Sequence, residues 1–199
     1  MDFHRLTPGD LPVATVRLAR ALIGCILVRE ALDGISAGRI IESEAYVPGD
    51  PASHAYIGPR PRTASMFLEP FHAYIYQIYG VYFCFNISSE VRGEGAGVLI
   101  RSLEPVAGID LMQRRRGRCR LPDLCRGPGR LCAALGIDRS LDGASLLTDK
   151  RLWLAAPTQS PGRVGSSRRI GVSQAASRKL RFYESGNTML SGPKALSPA

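Results

Sequence analysis

The chain has no apolar run that approaches the length of a membrane span, and its first residues lack the apolar core of a signal peptide. We therefore expect a cytoplasmic protein without membrane contact. The five cysteines are an odd number and form no C-x-x-C pair, which argues against a disulfide framework and against structural zinc. The three histidines, His4, His54 and His72, lie far apart in sequence, so we also expect no metal ion and no cofactor.

Acidic residues are in the minority: 26 basic and 17 acidic residues give a net charge of +9. Solubility alone would explain such a surplus, but the basic residues are concentrated in two segments. These are Arg114, Arg115, Arg116, Arg118, Arg120, Arg126 and Arg130, and then Arg163, Arg168, Arg169, Arg178, Lys179 and Arg181. This clustering favours nucleic acid as the partner.

A length of 199 residues, of which 45% are hydrophobic, suits one domain with its own core. We predict helices at residues 10–23, 106–115 and 127–136, the first of them capped by Asp10. Strands are predicted at residues 26–29, 40–46, 74–78, 83–88, 97–103, 170–172 and 180–183. With no repeat or linker, the chain is predicted to form one α+β domain over residues 1–191, with a mostly antiparallel sheet and a flexible tail at 192–199.

The strand that ends at Tyr46 carries the residues most typical of a catalytic site. Side chains alternate along a strand, so Glu42, Glu44 and Tyr46 project from one face, which Ile40 should share. A carboxylate on a partly buried face, beside a flat aromatic ring, can serve as a general base. Residues two apart on a strand are separated by about 6.5–7 Å, so Glu42 and Glu44 would also suit the acid–base pair of a glycoside hydrolase.

An aromatic hairpin follows, with Tyr74 and Tyr76 on one face of its first strand and Tyr79 at its tip. Sheet packing would explain the first two, whereas an aromatic residue at the turn has no neighbour obliged to cover it and suits a wedge between stacked bases. We expect Tyr79 to be largely exposed, and Tyr76 and Asn86 to face one pocket. This arrangement predicts either a three-residue loop at 80–82, which would pair Tyr76 with Asn86, or a bulge, and excludes a plain two-residue turn.

Other positions carry polar groups that need partners. Arg101 interrupts an apolar strand, where a buried guanidinium requires a carboxylate or a phosphate. Arg126 and Arg130 flank Gly-Pro-Gly at a predicted helix start, which can bind an anion through backbone N–H groups but is also ordinary turn chemistry. His54, in the irregular loop after Tyr46, has either a stacking or hydrogen-bonding role in a pocket or a structural role.

The order of these motifs resembles the alkyladenine (3-methyladenine) DNA glycosylase family of base-excision repair. The resemblance is carried by the runs at 42–46, 66–67, 74–88, 98–105, 124–132 and 180–183, together with the loop that contains His54. It spans nearly the whole chain in one order, although the loop at 62–65 and the shorter segment at 174–180 depart from the family pattern. The fold it implies is one mixed domain around a curved, mostly antiparallel sheet with surrounding helices.

The resemblance also implies roles for individual residues. Glu44 would activate the water that attacks the anomeric carbon, and Arg101 would hold the phosphate of the target nucleotide. The side chains implied to bind the flipped base are Tyr46, His54 and Tyr76, with Asn86 excluding normal guanine. Those expected to contact DNA are Tyr79, as the wedge, with Met66, Arg126 and Arg130.

The implied substrate is double-stranded DNA with damaged purines, and the implied enzyme is a monomer without a cofactor. An alkylated base departs readily, so one carboxylate and one water can break the N-glycosidic bond of a nucleotide flipped out of the duplex. The first lysine of the chain is Lys150, so a Schiff base with strand cleavage is not expected and an abasic site remains. Two alternatives stay open: a two-carboxylate glycoside hydrolase, which leaves the basic segments unexplained, and a non-catalytic damaged-DNA-binding protein, which leaves Glu44 unexplained.

Overall fold

A computed structural model of the chain describes residues 2–117, 119–193 and 195. In these residues it contains three α-helices and eight β-strands. In chain order they are α1 Thr15–Ala21, β1 Ile26–Ala31, β2 Gly34–Tyr46, β3 Ala73–Ile78, β4 Tyr82–Ser88, β5 Gly97–Ala107, α2 Ile109–Arg116, α3 Pro128–Leu135, β6 Leu152–Ala155, β7 Val164–Ser167 and β8 Arg181–Glu184. The strands form one antiparallel sheet that is curled into a half-barrel. The predicted α+β domain is confirmed.

The 13-residue strand β2 organises the sheet because it is paired along both edges. One edge follows β5 from Ala37 to Tyr46. The other edge pairs first with β1 and then, from Glu42 to Glu44, with β8. The sheet order is accordingly β3-β4-β5-β2-β1-β6, with β8 beside the second half of β2 and β7 beside β8. The C-terminal third of the chain is thereby brought against the predicted catalytic strand.

The pairing of β2 with β5 is irregular where β2 changes its other partner. The register skips Ile41 on β2 and Arg101 on β5. An extra residue of this kind interrupts the alternation of side chains between the two faces of the sheet. Residues on either side of it then project from different faces than strict alternation predicts. Ile40 and Ala45 therefore both face the main core, whereas Ile41 belongs to a separate cluster. The prediction that Ile40 shares the face of Glu44 is wrong for this reason.

The main core lies between the sheet and the three helices. Apolar side chains of α1, α2 and α3 pack there against those of β1 to β6. The hydroxyl of Ser43 donates to the backbone oxygen of Ala19 at 2.8 Å, which ties β2 to α1. None of the helices in the described parts of the chain has the length and apolarity needed to cross a membrane.

Helix α1 begins at Thr15, later than predicted, and Asp10 does not cap it. Asp10 instead closes a short 3₁₀ turn, where its carboxylate accepts hydrogen bonds from the backbone N–H and hydroxyl of Thr7, both at 2.7 Å. The first N–H of α1, that of Thr15, donates to the carboxylate of Glu90 at 2.7 Å. A helix start bound by a residue so distant in the chain leaves no local signal in the sequence.

The hairpin of β3 and β4 has a three-residue loop, but it spans residues 79–81 and not 80–82. Asn86 consequently pairs with Tyr74, and the predicted pairing of Asn86 with Tyr76 is wrong. The loop enters the left-handed region at Tyr79, with φ of 51°, and at the glycine that follows, with φ of 72°. The register differs from the predicted one by two residues, so Tyr76 and Asn86 still share a face.

Several other elements differ from the prediction. Strand β5 continues to Ala107, so α2 begins later than expected. Strand β6 has no predicted counterpart, and residues 170–172 form no strand; β7 lies at Val164–Ser167 instead. The sequence of β7, Val-Gly-Ser-Ser, has no hydrophobic alternation, and the strand is held through its pairing with β8. The predicted tail at 192–199 lies mostly outside the described residues and stays a prediction.

A buried ion cluster joins β2 to β8 beside the irregularity. The guanidinium of Arg39 contacts the carboxylates of Glu104 and Glu184, and its distances to the two oxygens of Glu184 are 2.8 and 2.6 Å. The hydrogen bonds from Arg39, more than any other contact, hold the pKa of Glu184 at about 2. The cluster therefore favours the ionised form of Glu184 and the docking of β8.

We expect Glu184→Gln to lower the melting temperature near neutral pH. The melting temperature of the variant should also depend less on pH in the acidic range. The folded-state pKa of Glu184 is depressed from 4.5 to about 2, so the ionised group stabilises the fold above pH 4.5 and loses this effect as the pH falls toward 2. Melting curves across that range should show that the difference in melting temperature between wild type and variant becomes smaller as the pH falls. A difference that stays constant down to the lowest pH would contradict this contribution.

Candidate active site

Glu44 is fully buried in the half of β2 that pairs with β8. Its Oε2 accepts hydrogen bonds from the hydroxyl of Tyr46 at 3.0 Å and from Nη1 of Arg101 at 3.2 Å. Its Oε1 accepts from the backbone N–H of Ile170 at 2.7 Å. The donors come from β2, from β5 and from the loop after β7, so three segments of the chain orient one carboxylate.

Glu42 is also fully buried but binds a different set of donors. Its carboxylate accepts from Nε of Arg101 at 3.1 Å, from Nε of Arg181 at 2.7 Å, and from the backbone N–H and hydroxyl of Ser191 at 2.6 and 2.9 Å. Arg101 thus bridges Glu42 and Glu44. Two glutamates and two arginines carry no net charge together, and it is this pairing that allows four ionised groups to be buried.

Arg101 owes its position to the skipped residue in the register of β5. The prediction that its guanidinium needs a charged partner is confirmed, because both glutamates lie within hydrogen-bond distance. Its Nε also donates to the hydroxyl of Ser191 at 3.1 Å. The role of Arg101 in holding a phosphate stays a prediction.

A pocket of about 160 Å³ opens beside Tyr46. Its walls come from the loop after β2, from β3 and β4, and from the loop after β7. The lining residues are Tyr46, Ala52, Ser53, His54, Met66, Tyr74, Tyr76, Asn86, Gly171 and Val172. The structure therefore brings together all four residues predicted to bind a base. The volume is below that of pockets for drug-sized ligands and suits one small planar group. Among the described residues, no group of three or more His, Cys, Asp and Glu side chains could hold a metal ion.

Aromatic rings form most of one wall. The ring of Tyr76 lies 4.5 Å from that of His54 at 73° and 5.4 Å from that of Tyr74 at 27°. Nδ1 of His54 is 2.9 Å from the hydroxyl of Tyr74.

Burial, and to a smaller extent the charge of Arg62, lowers the pKa of His54, so its ring is neutral near pH 7. Burial also raises the pKa of Tyr74 to about 12. A wall of neutral π systems suits a cationic or electron-poor ring.

Tyr74 is not among the predicted site residues, although its spacing of two from Tyr76 was a signal that could have identified it. Asn86 is buried, and its Nδ2 donates to the backbone oxygen of Tyr74 at 3.1 Å. Its amide thus joins the strands of the hairpin as well as lining the pocket. Met66, predicted to contact DNA, is 3% exposed and packs against Tyr74. It can reach a nucleotide only inside the pocket.

The hairpin tip presents apolar surface to solvent. Tyr79 is 89% exposed, which confirms the expected exposure, and Val81 and Tyr82 beside it are also exposed. A positive φ is uncommon for a bulky residue such as Tyr79. The loop is braced by Gln77, whose Nε2 donates to the backbone oxygen of Gly80 at 2.6 Å. The role of Tyr79 as a wedge stays a prediction.

Arg126 and Arg130 flank the start of α3, as predicted. Nε of Arg126 donates to the backbone oxygen of Leu190 at 2.8 Å, and Nη1 of the exposed Arg130 lies 4.0 Å from the carboxylate of Asp123. Arg118, in the same basic segment, lies outside the described residues. The role of Arg126 and Arg130 in binding DNA stays a prediction.

The second basic segment contains two arginines whose positions the sequence did not reveal. Arg181 is buried in the cluster with Glu42, and Arg169 is buried in an ion pair with Asp50. The guanidinium carbon of Arg169 lies 4.6 Å from the centroid of the Tyr46 ring. Sequence reasoning missed these contacts because a count of charges does not distinguish buried groups from exposed ones.

A family model described as methylpurine-DNA glycosylase matches residues 10–188 of the chain. The chain belongs to this family. The resemblance to the alkyladenine DNA glycosylases, inferred from the motif order, is thereby confirmed.

Relatives of this methylpurine-DNA glycosylase family member extend from bacteria to mammals. A protein of Mesorhizobium japonicum is 53% identical over 195 residues, which cover 98% of this chain and 94% of that protein. A protein of Paraburkholderia phytofirmans is 45% identical over 191 residues, which cover 96% and 90% of the two chains. Both carry 3-methyladenine DNA glycosylase as a provisional name. The DNA-3-methyladenine glycosylase of Mus musculus is 41% identical over 205 residues, which cover 94% of this chain and 61% of the mouse protein.

We expect Glu42→Gln to destabilise the fold more than Glu44→Gln. The first change weakens ion pairs with two buried guanidinium groups, those of Arg101 and Arg181, and removing one partner of a buried ion pair costs about 3–5 kcal/mol. The second change affects the ion pair with Arg101 alone. Chemical denaturation of both variants and the wild type would give the free energies of unfolding. Equal stability of Glu42→Gln and the wild type would show that the cluster contributes nothing to the fold.

Proposed function

We propose that this protein is a monofunctional DNA repair glycosylase. It flips alkylated or deaminated purines out of double-stranded DNA and hydrolyses the N-glycosidic bond, leaving an abasic site. The observation that carries the proposal is the hydrogen bond to the buried Glu44 from Tyr46, whose side chain lines a pocket with aromatic walls; Arg101 is a second donor to the same carboxylate. Family membership supports the same reaction, since relatives are named 3-methyladenine DNA glycosylase.

Glu44 is the proposed general base. As water attacks the anomeric carbon, its proton passes to the Glu44 carboxylate, and the damaged base leaves with the electron pair of the N-glycosidic bond. Positive charge that develops on the sugar is stabilised by the same carboxylate. Tyr46 and Arg101 act on the carboxylate through their hydrogen bonds and keep its orientation constant.

The aromatic wall is proposed to hold the flipped base. Tyr46, Tyr76 and His54 would stack on it, and Asn86 would clash with the exocyclic amine of a normal guanine. A neutral His54 does not repel a base that alkylation has made cationic. Stacking together with cation–π attraction therefore favours alkylated purines over undamaged ones.

The exposed hairpin and the basic residues are proposed to hold the duplex. Tyr79 would fill the space that the flipped nucleotide leaves, and Met66 would contact that nucleotide from inside the pocket. Arg126 and Arg130 would bind phosphates beside the start of α3. For Arg101, pairing with both buried glutamates supports a role in orienting Glu44 in addition to any contact with the target phosphate.

The two alternative functions are less well supported by the geometry. A two-carboxylate hydrolase needs both glutamates at the substrate. Glu44 is linked to the pocket by its hydrogen bond with Tyr46, which lines it, whereas the partners of Glu42, namely Arg101, Arg181 and Ser191, do not line that pocket. A non-catalytic DNA-binding protein has no use for Glu44 beside the base pocket, where a carboxylate disfavours phosphate. Incubation with duplexes that each carry one 3-methyladenine, hypoxanthine or ethenoadenine tests for release of the base, which only the glycosylase performs. Salt-sensitive binding to the duplex separates the non-catalytic DNA-binding protein from the glycoside hydrolase.

We further propose that the protein acts as a monomer in the cytoplasm, with DNA, which in a bacterium means the nucleoid. The edge strand β3 is covered, because the backbone N–H of Ile75 donates to Asp142 at 2.8 Å and Arg139 donates to the backbone oxygen of Ile75. A covered edge does not recruit a second chain by strand pairing. Light scattering during size-exclusion chromatography measures the mass that tests this.

We expect Glu44→Gln to abolish base release almost completely while binding to a duplex with an abasic analogue is retained. The amide keeps the shape of the side chain but cannot accept the proton of the attacking water. Single-turnover kinetics and a binding titration measure the two properties. Glu69→Gln, which changes an exposed glutamate paired with Arg92, is the matched control and should behave as wild type. Near-normal turnover of Glu44→Gln would exclude it as the base.

Tyr79→Ala should keep native stability and lose activity on duplex lesions, with a smaller loss for lesions opposite a mismatch or in single strands. The exposed ring contributes little to the core, but in the complex it would stop the base from returning to the stack. Leu32→Ala, at an exposed turn between β1 and β2, is the control. A drop in stability of about 3–5 kcal/mol would instead indicate a core role for Tyr79.

A further inference from the structure

The ion pair of Asp50 and Arg169 lies between the two loops that line the base pocket. Asp50 belongs to the loop after β2, which supplies the lining residues 52–54, and its Oδ1 also accepts from the backbone N–H of Ala52 at 3.0 Å. Arg169 belongs to the loop after β7, which supplies the lining residues 171–172. Contacts of 2.5 and 3.2 Å between the guanidinium and the carboxylate join these loops.

The same guanidinium reaches the strand that carries the proposed base. Nη1 of Arg169 donates to the backbone oxygen of Ala45 at 3.1 Å, and its guanidinium carbon lies 4.6 Å from the centroid of the Tyr46 ring. The residue after Arg169 is Ile170, whose backbone N–H donates to Glu44. The position of Arg169 therefore affects the Glu44 carboxylate in two ways. Its guanidinium supports the Tyr46 ring, and its backbone places the N–H of Ile170 that donates to Glu44.

The pair is completely enclosed, with no exposure of either side chain. Within the described residues, Nε of Arg169 has no hydrogen-bond partner, so its guanidinium is located by Asp50, Ala45 and Tyr46. Two parallel contacts to a carboxylate define the orientation of a guanidinium, which a lysine ammonium cannot reproduce. Arg178, at 3.9 Å from Asp50 and more exposed, adds a weaker contact.

We propose that Asp50 and Arg169 are positioning residues for base release. The pair fixes the distance between the two pocket loops and holds Tyr46 and Ile170 against Glu44. The inference rests on the proposed glycosylase function. Neither side chain lines the pocket, so their effect passes through Tyr46, Ile170 and the loops. A displacement of about 1 Å in such a site can lower the rate of the chemical step on the order of 100-fold.

The test compares Arg169→Lys and Asp50→Asn with the matched control Arg39→Lys. Arg39 also forms a buried, two-contact pair with a carboxylate, that of Glu184, but its cluster contains no residue that lines the pocket. For each protein, we would measure the melting temperature, binding to a duplex with an abasic analogue, and single-turnover release of ethenoadenine and hypoxanthine.

We expect Arg169→Lys and Asp50→Asn to lower the rate of base release by about 10- to 100-fold. Binding to the abasic analogue, which has no base to stack, should change by less than about 3-fold, since the loss concerns the chemical step. Arg39→Lys should lower the melting temperature to a similar extent without the loss of rate. The positioning role is wrong if Arg39→Lys, at the same loss of stability, loses as much activity as Arg169→Lys and Asp50→Asn. It is also wrong if Arg169→Lys and Asp50→Asn lose no activity.

Hydrogen–deuterium exchange supplies a readout that does not require activity. In Arg169→Lys, the backbone N–H groups of Ala52 and Ile170 should exchange faster, because they bond to Asp50 and Glu44. In Arg39→Lys, faster exchange should be confined to regions near Glu184, such as the N–H of Gly162. A wild type that releases no base overturns the proposed function alone, whereas unchanged exchange at Ala52 and Ile170 overturns the positioning role.

Discussion

The neutral cluster of Glu42, Glu44, Arg101 and Arg181 is the constraint on which the rest of the structure depends. Ionised groups are tolerated in a protein interior only when they are paired, so these four side chains can be buried only together. They come from β2, β5 and β8, which means that the sheet must be complete before the carboxylate of Glu44 is oriented. The irregular register of β2 and β5 is part of the same arrangement, because it directs Arg101 toward both glutamates.

Around this rigid centre, the parts that would meet DNA are built differently. The pocket walls are loops and strand ends joined by individual hydrogen bonds and by one buried ion pair, and the hairpin tip is exposed with Tyr79 in an uncommon backbone conformation. A carboxylate that is held in place before the substrate arrives suits a reaction in which the substrate must first leave its own stack of bases. The chemistry then depends on preorganised groups, while recognition depends on the pocket walls and on the exposed hairpin tip.

The count of 26 basic residues overstates the number that nucleic acid can contact. Arg39, Arg101, Arg169 and Arg181 are buried with carboxylate partners and hold the sheet and the pocket together. The electrostatic attraction for DNA must therefore come from the exposed basic residues, such as Arg130, and its dependence on salt will reflect a smaller number of phosphate contacts than the composition suggests.

The sequence by itself determined the features that act over a few positions: the alternation at residues 42–46, the aromatic hairpin, the helix after Gly127 and the order of motifs that identifies the family. Only the tertiary structure decided which charges are buried, where the hairpin register lies, and that Glu90 binds the start of α1. The physical reason is distance along the chain. Glu42 meets Arg181 across 139 positions, and Asp50 meets Arg169 across 119, so neither contact has a local pattern. A strand period shows which residues share a face, but a bulge such as the one at Ile41 is created by the neighbouring strands and becomes visible only when they are in place.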